Sequence, residues 1–252
     1  MYIDTHCHVS KEYYENIDEV INNAEKENVK KIIISGCDKE GIKEALETVK
    51  KYENVYTTIG FHPDSADIIT DEDLKELEKD ILENKKVIGL GEIGLDYHYG
   101  KDNRLKQINL FKKQLEIAKK LDIPVVIHSR DAFQDTYDIL KESNTSGVIH
   151  CFSGNITNAK MYIDLGYKIG IGGVLTFKNS KLKDVVKELN LKDIVTETDS
   201  PYLSPEPKRG TTNEPKNVSL VMNYLFEIRN ESKEEIENTI ENNTYEVFKG
   251  ME

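Results

Sequence analysis

The feature that most restricts how this chain folds is an eightfold alternation of short β-branched runs with longer amphipathic stretches. The runs lie at Tyr2 to His6, Lys31 to Ser35, Val55 to Ile59, Val87 to Glu92, Val125 to His128, Gly147 to His150, Lys168 to Gly172 and Ile194 to Glu197. Helical patterns follow them at Asn16 to Asn28, Lys39 to Lys51, Asp71 to Asn84, Asp102 to Leu121, Asp131 to Glu142, Ile156 to Leu165, Lys181 to Leu189 and Glu214 to Arg229. A ninth runs from Lys233 to Phe248, and the expectation is that it packs on the outside. Asp71 and Asp102 stand where helix N-caps belong, and Ser232 with Glu235 has capping-box spacing. Eight βα units without a linker or an internal sequence repeat predict one α/β domain over residues 1–252, closed as a (β/α)₈ barrel with an extra C-terminal helix.

A length of 252 residues with 38% hydrophobic content suits that architecture. The sequence has no long uncharged apolar run, and no basic leader precedes Tyr2. Cys7, Cys37 and Cys151 lack ligand or disulfide spacing and read as small buried hydrophobes. Together these predict a cytoplasmic protein that engages no membrane and shows no sign of an obligate protein partner. A formal charge of −12 argues against broad, sequence-independent adhesion to nucleic acid. It does not exclude a nucleic-acid substrate, because bound divalent cations reverse the local sign.

Five of the six histidines fall at or just after the C-terminal end of a predicted strand: His6, His8, His62, His128 and His150. Glu92 ends the fourth strand, and Glu197 with Asp199 ends the eighth. A barrel brings those ends into one ring. Buried imidazoles and carboxylates are costly without a cation, and this mixture of N and O donors suits zinc, manganese, iron or nickel. Strand alternation puts His6 and His8 on one face, with Asp4 one step deeper. With Asp199 they would hold one ion; His128 and His150 would hold a second, with Glu92 bridging. Six ligands on two ions leave open positions, as in a catalytic site. Asp96, Tyr97, Arg130, Ser153, Arg209, Asn213 and Glu214 lie on the same rim, where they either hold an anionic substrate or cap helices and fix loops. His98 receives no role beyond a loop or substrate contact. The irregular stretch from Pro201 to Pro215 is expected over the barrel mouth.

Seven segments carry a resemblance to a known family: Asp4-Thr5-His6-Cys7-His8, Gly60-Phe61-His62-Pro63, Gly91 to Tyr97, Ile127 to Arg130, His150 to Gly154, Glu197 to Tyr202, and Asn213-Glu214-Pro215. Over its whole length the chain resembles the TatD-type metal-dependent deoxyribonucleases, within the amidohydrolase-like metal hydrolases. The resemblance implies a TIM-type barrel and a divalent-metal hydrolase of ester bonds. The activity implied is an exonuclease-type deoxyribonuclease acting on single-stranded DNA or DNA ends with a metal-activated hydroxide. The same six residues become ligands of two divalent ions (Zn, Mn or Mg). Glu92, Asp199 and His62 take the catalytic roles, and His62, Asp96, Arg130, Ser153, Glu197, Arg209 and Asn213 the substrate contacts. A glutamate at position 92, rather than the carboxylated lysine of many dinuclear relatives, is similar to TatD. Thr212 departs from the family's basic residue before the Asn-x-Pro motif. The alternative is a hydrolase of D-aminoacyl-tRNA, or of another ester or amide, on the same dinuclear site.

Overall fold

The computed structural model describes Met1 to Met251. Eight parallel strands pair in chain order: β1 (Tyr2–Cys7), β2 (Val29–Gly36), β3 (Val55–Ile59), β4 (Val87–Asp96), β5 (Val125–Arg130), β6 (Gly147–Ile149), β7 (Tyr167–Ile171) and β8 (Ile194–Thr196). Between and after them come α1 (Ile17–Lys26), α2 (Lys39–Val49), α3 (Asp71–Glu83), α4 (Arg104–Leu121), α5 (Phe133–Ser143), α6 (Ile156–Asp164), α7 (Leu182–Glu188), α8 (Val218–Ile228) and α9 (Lys233–Val247). The expected (β/α)₈ barrel is therefore observed. No helix among the described residues is long and apolar enough to cross a membrane.

The helices begin where short polar side chains satisfy amides left over by the first turn. Asn16, Asp38, Asn155 and Ser232 each accept a hydrogen bond from the amide three residues on. At α3 the cap is Thr70 rather than the expected Asp71, and Thr70 with Asp73 forms a reciprocal capping box. Helix α4 starts at Arg104, two residues later than expected, with no side-chain cap at Asn103. Pro215 opens a 3₁₀ turn (Pro215–Asn217), so α8 begins only at Val218 and not at Glu214.

The seam where β8 meets β1 is held by side chains as well as backbone. Thr5 Oγ1 donates to the Thr196 carbonyl at 3.0 Å, and the Asp4 carboxylate accepts from the Thr198 amide at 2.9 Å and its hydroxyl at 2.6 Å. Nearer the C-terminal end, the Asp199 amide donates to the His6 carbonyl and the His8 amide to that of Ser200.

Apolar side chains fill two regions. Outside the barrel, clusters such as Val20, Ile21, Ala24, Ile32, Ile34, Ala45 and Val49 join the sheet to α1 and α2. At the N-terminal end, Ile3, Ile33, Ile88, Val126, Val148 and Val195 meet Phe248 and Met251 in a floor. The C-terminal helix is thus more than an external addition. Asn243 Nδ2 donates to the Leu191 and Ile194 carbonyls, and the segment after α9 turns Phe248, fully buried, beneath the strands. Burying such a side chain stabilises the fold by roughly 1.5–3 kcal/mol.

Candidate metal centre

Two strand irregularities shape the C-terminal mouth. In β1 one extra residue is accommodated between Asp4 and Cys7 relative to β2, and in β4 another between Leu90 and Ile93 relative to β5. Such bulges re-aim side chains. In β1 the bulge corrects the simple alternation: Asp4 bonds Thr198 at the seam and does not join the histidines. In β4 the bulge falls at Gly91-Glu92, with Gly91 at φ +151° and Gly94 at φ +145°. A Cβ at Gly91 would lie 2.6 Å from the Val126 carbonyl oxygen, and one at Gly94 1.9 Å from that of His128. Glycine alone allows β4 this close to β5, and Glu92 is carried between the histidines by that approach.

Glu92 lies at the centre, 4% exposed. Its Oε1 is 2.8 Å from His128 Nδ1 and 2.9 Å from His150 Nε2, while its Oε2 is 3.4 Å from His6 Nε2 and 3.5 Å from His8 Nε2. Asp199 Oδ1 lies 3.7 Å from His6 Nε2 and 3.6 Å from His8 Nε2. One carboxylate therefore offers one oxygen to each of two histidine pairs, and a second carboxylate lies beside the His6–His8 pair, with His150 also within reach. Asp199 itself has φ +53°, and Cys151, after His150, has φ +45°. Such left-handed backbone in non-glycine residues gathers at functional sites.

The electrostatics follow from this crowding. Burial by itself would raise the Glu92 carboxyl, but His150, His128 and His6 hold it well below the usual carboxylate range. Burial disfavours protonation of His150, yet Glu92 and Glu197 push its pKa well up. Burial likewise opposes protonation of His128, and Asp96 and Glu92 outweigh it. His6 shifts the other way, because burial and the neighbouring His150 both disfavour its charged form. Both ring nitrogens of His6 are buried without a hydrogen-bond partner. A polar atom so placed is costly unless something binds it, and converging imidazole and carboxylate donors fit a divalent cation. Groups of donor atoms close enough to share an ion include His6, His8 and Glu92; His6, His150 and Asp199; and Glu92, His128 and His150. His62, Asp96 and His128 also converge. There, however, Asp96 Oδ2 lies 2.9 Å from His128 Nε2, on the opposite side of the ring from Glu92, where a carboxylate orients a ligand.

The remaining sequence-predicted residues divide into two groups. His62, Asp96, Arg130 and Ser153 line a cavity of about 740 Å³ above the cluster. His62 Nε2 is 3.8 Å from Glu92 Oε1, and its Nδ1 accepts from the Asp64 amide at 3.2 Å. Glu197, Asn213 and Arg209 do not reach the cavity. Glu197 is fully buried behind His150, accepting the Cys151 amide and lying 3.6 Å from His150 Nδ1. Asn213, also fully buried, donates to the Thr198 and Tyr202 carbonyls and pins the last loop. The Arg209 guanidinium stacks 3.8 Å from the Phe177 ring centroid and donates to the Ser204 carbonyl. Tyr97 bonds Asp135, and Glu214 pairs with Lys216, so both serve the framework.

Cys37 and Cys151 correct the reading of all three cysteines as buried, since both line the cavity, half-buried; only Cys7 packs in the outer apolar layer. Cys151 lies beyond the end of β6, where alternation no longer applies. Asp64, Tyr13, Tyr99 and Tyr202 also line the cavity and escaped sequence reasoning. Asp64 had a usable signal, two residues past His62; the tyrosines lie in loops without periodicity.

Comparison with known proteins agrees with this geometry. A family model described as TatD related DNase matches residues 3–249. The chain is 37% identical over 254 residues to YabD of Bacillus subtilis, described as an uncharacterized metal-dependent hydrolase, with 99% of both chains covered. Among solved structures, YjjV, a TatD homolog from Escherichia coli, superposes with a TM-score of 0.93 at 34% identity, covering 98% of each chain. A TatD family hydrolase from Entamoeba histolytica gives 0.87 at 25% identity, covering 98% of this chain and 97% of that one. With the ring of histidines and carboxylates in place at the mouth of the barrel, the chain belongs to the TatD family of metal-dependent hydrolases.

Proposed function

We propose that this hydrolase cleaves phosphodiester bonds in DNA, using two divalent ions held by six side chains. The observation that carries the reading is the division of the Glu92 carboxylate between two histidine pairs, supported by the description of the matching family as related to DNases. His6, His8 and Asp199 would hold one ion and His128 with His150 the other, with Glu92 shared. When bound, such ions acidify water and withdraw charge from phosphoryl oxygens.

The chain's own groups supply the rest. Asp199, which borders the cavity, receives the proton of the attacking water as the new O–P bond forms. The P–O bond to the leaving sugar oxygen breaks in line, and His62 delivers a proton to that oxygen. His62 Nδ1 lies 3.2 Å from both the amide and the carboxylate of Asp64, which leaves Nε2 as the ring nitrogen turned toward Glu92 and the cavity. Arg130 and Ser153 contact the non-bridging phosphate oxygens. Asp96 and Glu197 orient His128 and His150 from behind.

A second reading has its own support. Asp38 and Asp64 on the cavity wall suit the ammonium of an aminoacyl ester, as in D-aminoacyl-tRNA. Purified protein reconstituted with Mn²⁺, Mg²⁺ or Zn²⁺ and given end-labelled single-stranded DNA beside D-aminoacyl-tRNA separates the two. Stepwise shortening of the DNA that disappears in Glu92→Gln is the expected result. Intact DNA with deacylated tRNA would overturn the phosphodiesterase reading.

A further inference from the structure

The large apolar side chains exposed among the described residues are Met1, Ile68, Leu82, Tyr99, Leu105 and Tyr202. Two of these, Tyr99 at 86% and Tyr202 at 49% exposure, line the catalytic cavity. Tyr202 follows β8 and Tyr99 follows β4, four strands apart in an order of eight, so they stand on opposite sides of the mouth with the metal ligands between them. Each ring is braced. Tyr202 Oη is 2.9 Å from Tyr13 Oη, their rings meet edge to face at 5.8 Å, and the His8 ring is 6.0 Å from that of Tyr202. Across the mouth, the Arg130 guanidinium lies 5.7 Å from the Tyr99 ring centroid and the His98 ring 4.8 Å away.

The charge on the wall is as informative as the rings. Arg130 is the only lysine or arginine lining the cavity among the described residues, whereas Asp38, Asp64 and Asp96 join the two ligand carboxylates there. A single-stranded nucleic acid is ordinarily gripped by a basic groove together with aromatic platforms. On the cavity wall, among the described residues, the basic side chains of such a groove are missing and the platforms remain.

We infer that Tyr99 and Tyr202 form a two-sided seat that stacks the unpaired nucleobases on either side of the scissile phosphodiester. The inference rests on the phosphodiesterase reading and adds to it the residues that hold an unpaired end, because bases within a duplex are already stacked and paired with each other. Recognition then depends on base faces more than on backbone charge. With Arg130 the only lysine or arginine on the cavity wall among the described residues, side chains should add no more than about 0.7 to the magnitude of the slope of log KM against log salt, the value for one neutralised phosphate on a single strand.

The chain has no tryptophan, so Tyr99→Trp introduces a single reporter at one side of the seat. In Mn²⁺-loaded protein, its fluorescence should fall on titration with phosphorothioate-linked hexathymidylate and stay constant with an abasic backbone of the same length and linkage. Tyr99→Ala and Tyr202→Ala should each raise KM for single-stranded oligothymidylate by roughly 5- to 150-fold, the span of base–aromatic stacking. Leu82→Ala, exposed but outside the cavity, should leave it unchanged. If oligothymidylate is hydrolysed but the abasic backbone quenches equally and both alanine variants keep the wild-type KM, the seat is overturned and the phosphodiesterase reading survives. Quenching by bases without hydrolysis of any oligonucleotide would overturn the phosphodiesterase reading and leave the two rings a base-stacking seat with no scissile bond between them. Neither quenching nor hydrolysis would overturn both.

Discussion

At the N-terminal end of the barrel, Ile3, Ile33, Ile88, Val126, Val148 and Val195 close on Phe248 and Met251 without a charged group among them, whereas at the C-terminal end β1, β4 and β5 and the segments after β6 and β8 present His6, Glu92, His128, His150 and Asp199. Floor and mouth are thus supplied largely by the same strands, a few residues apart. The floor is stabilised by removing apolar surface from water. The mouth requires two bulges, left-handed backbone at Asp199 and Cys151, and carboxylates buried among histidines. Stability invested at one end allows polar burial at the other, the usual relation between a scaffold and a strained functional site.

The largest effect should come from breaking the mouth at its centre. Glu92→Ala is expected to reduce metal-dependent hydrolysis to background while circular dichroism stays that of the folded barrel. Retained hydrolysis would show that the shared carboxylate is dispensable. At the floor, Phe248→Ala should cost about 3–5 kcal/mol in denaturant unfolding, with unchanged activity per folded molecule. An unaltered unfolding midpoint would mean that the C-terminal segment is not what seals the barrel.

A smaller effect sharpens the mouth. Asp96→Asn, which weakens the partner of His128 Nε2, should lower metal affinity by about 10–100-fold in a metal titration. Unchanged affinity would make Asp96 a substrate contact instead. The smallest effect belongs to the mouth's outer rim, where Asp73 caps α3 and lies 2.6 Å from Lys39 of α2. The Lys39 ammonium and the Thr70 amide hold the Asp73 carboxyl down at about 2. A carboxyl lowered in the folded state stabilises above its unfolded pKa near 4 and loses that contribution as pH falls toward about 2. The melting temperature of Asp73→Asn should therefore fall below wild type by about 2 °C at neutral pH, and the two should converge by about pH 2. A gap that persists at pH 2 would assign the effect to the cap hydrogen bonds alone.

Most of the barrel was legible because alternation is a local property: Val55–Ile59 could only be a buried strand, and Ser232 capped its helix as its spacing required. The convergence of the histidines was legible for a related reason, since strand ends converge in any barrel of this type. Asp4 was misplaced because a bulge changes which face a residue occupies without changing composition. Glu197, Arg209 and Asn213 were misassigned to substrate because a polar residue near a site reads the same whether it faces the cavity or holds the residue that does. The floor role of Phe248 and the opposition of Tyr99 to Tyr202 had no local signal.

What the sequence determined by itself was therefore the sequence of elements, the closed barrel and the identity of the six converging side chains, because periodicity and strand order are carried by neighbouring residues. Only the tertiary structure decided how Glu92 divides its oxygens, which carboxylates stand behind the histidines and which tyrosines face each other across the mouth. Those relations join residues 32 to 103 positions apart and arise from the packing of β4 on β5 and the closure of β8 on β1.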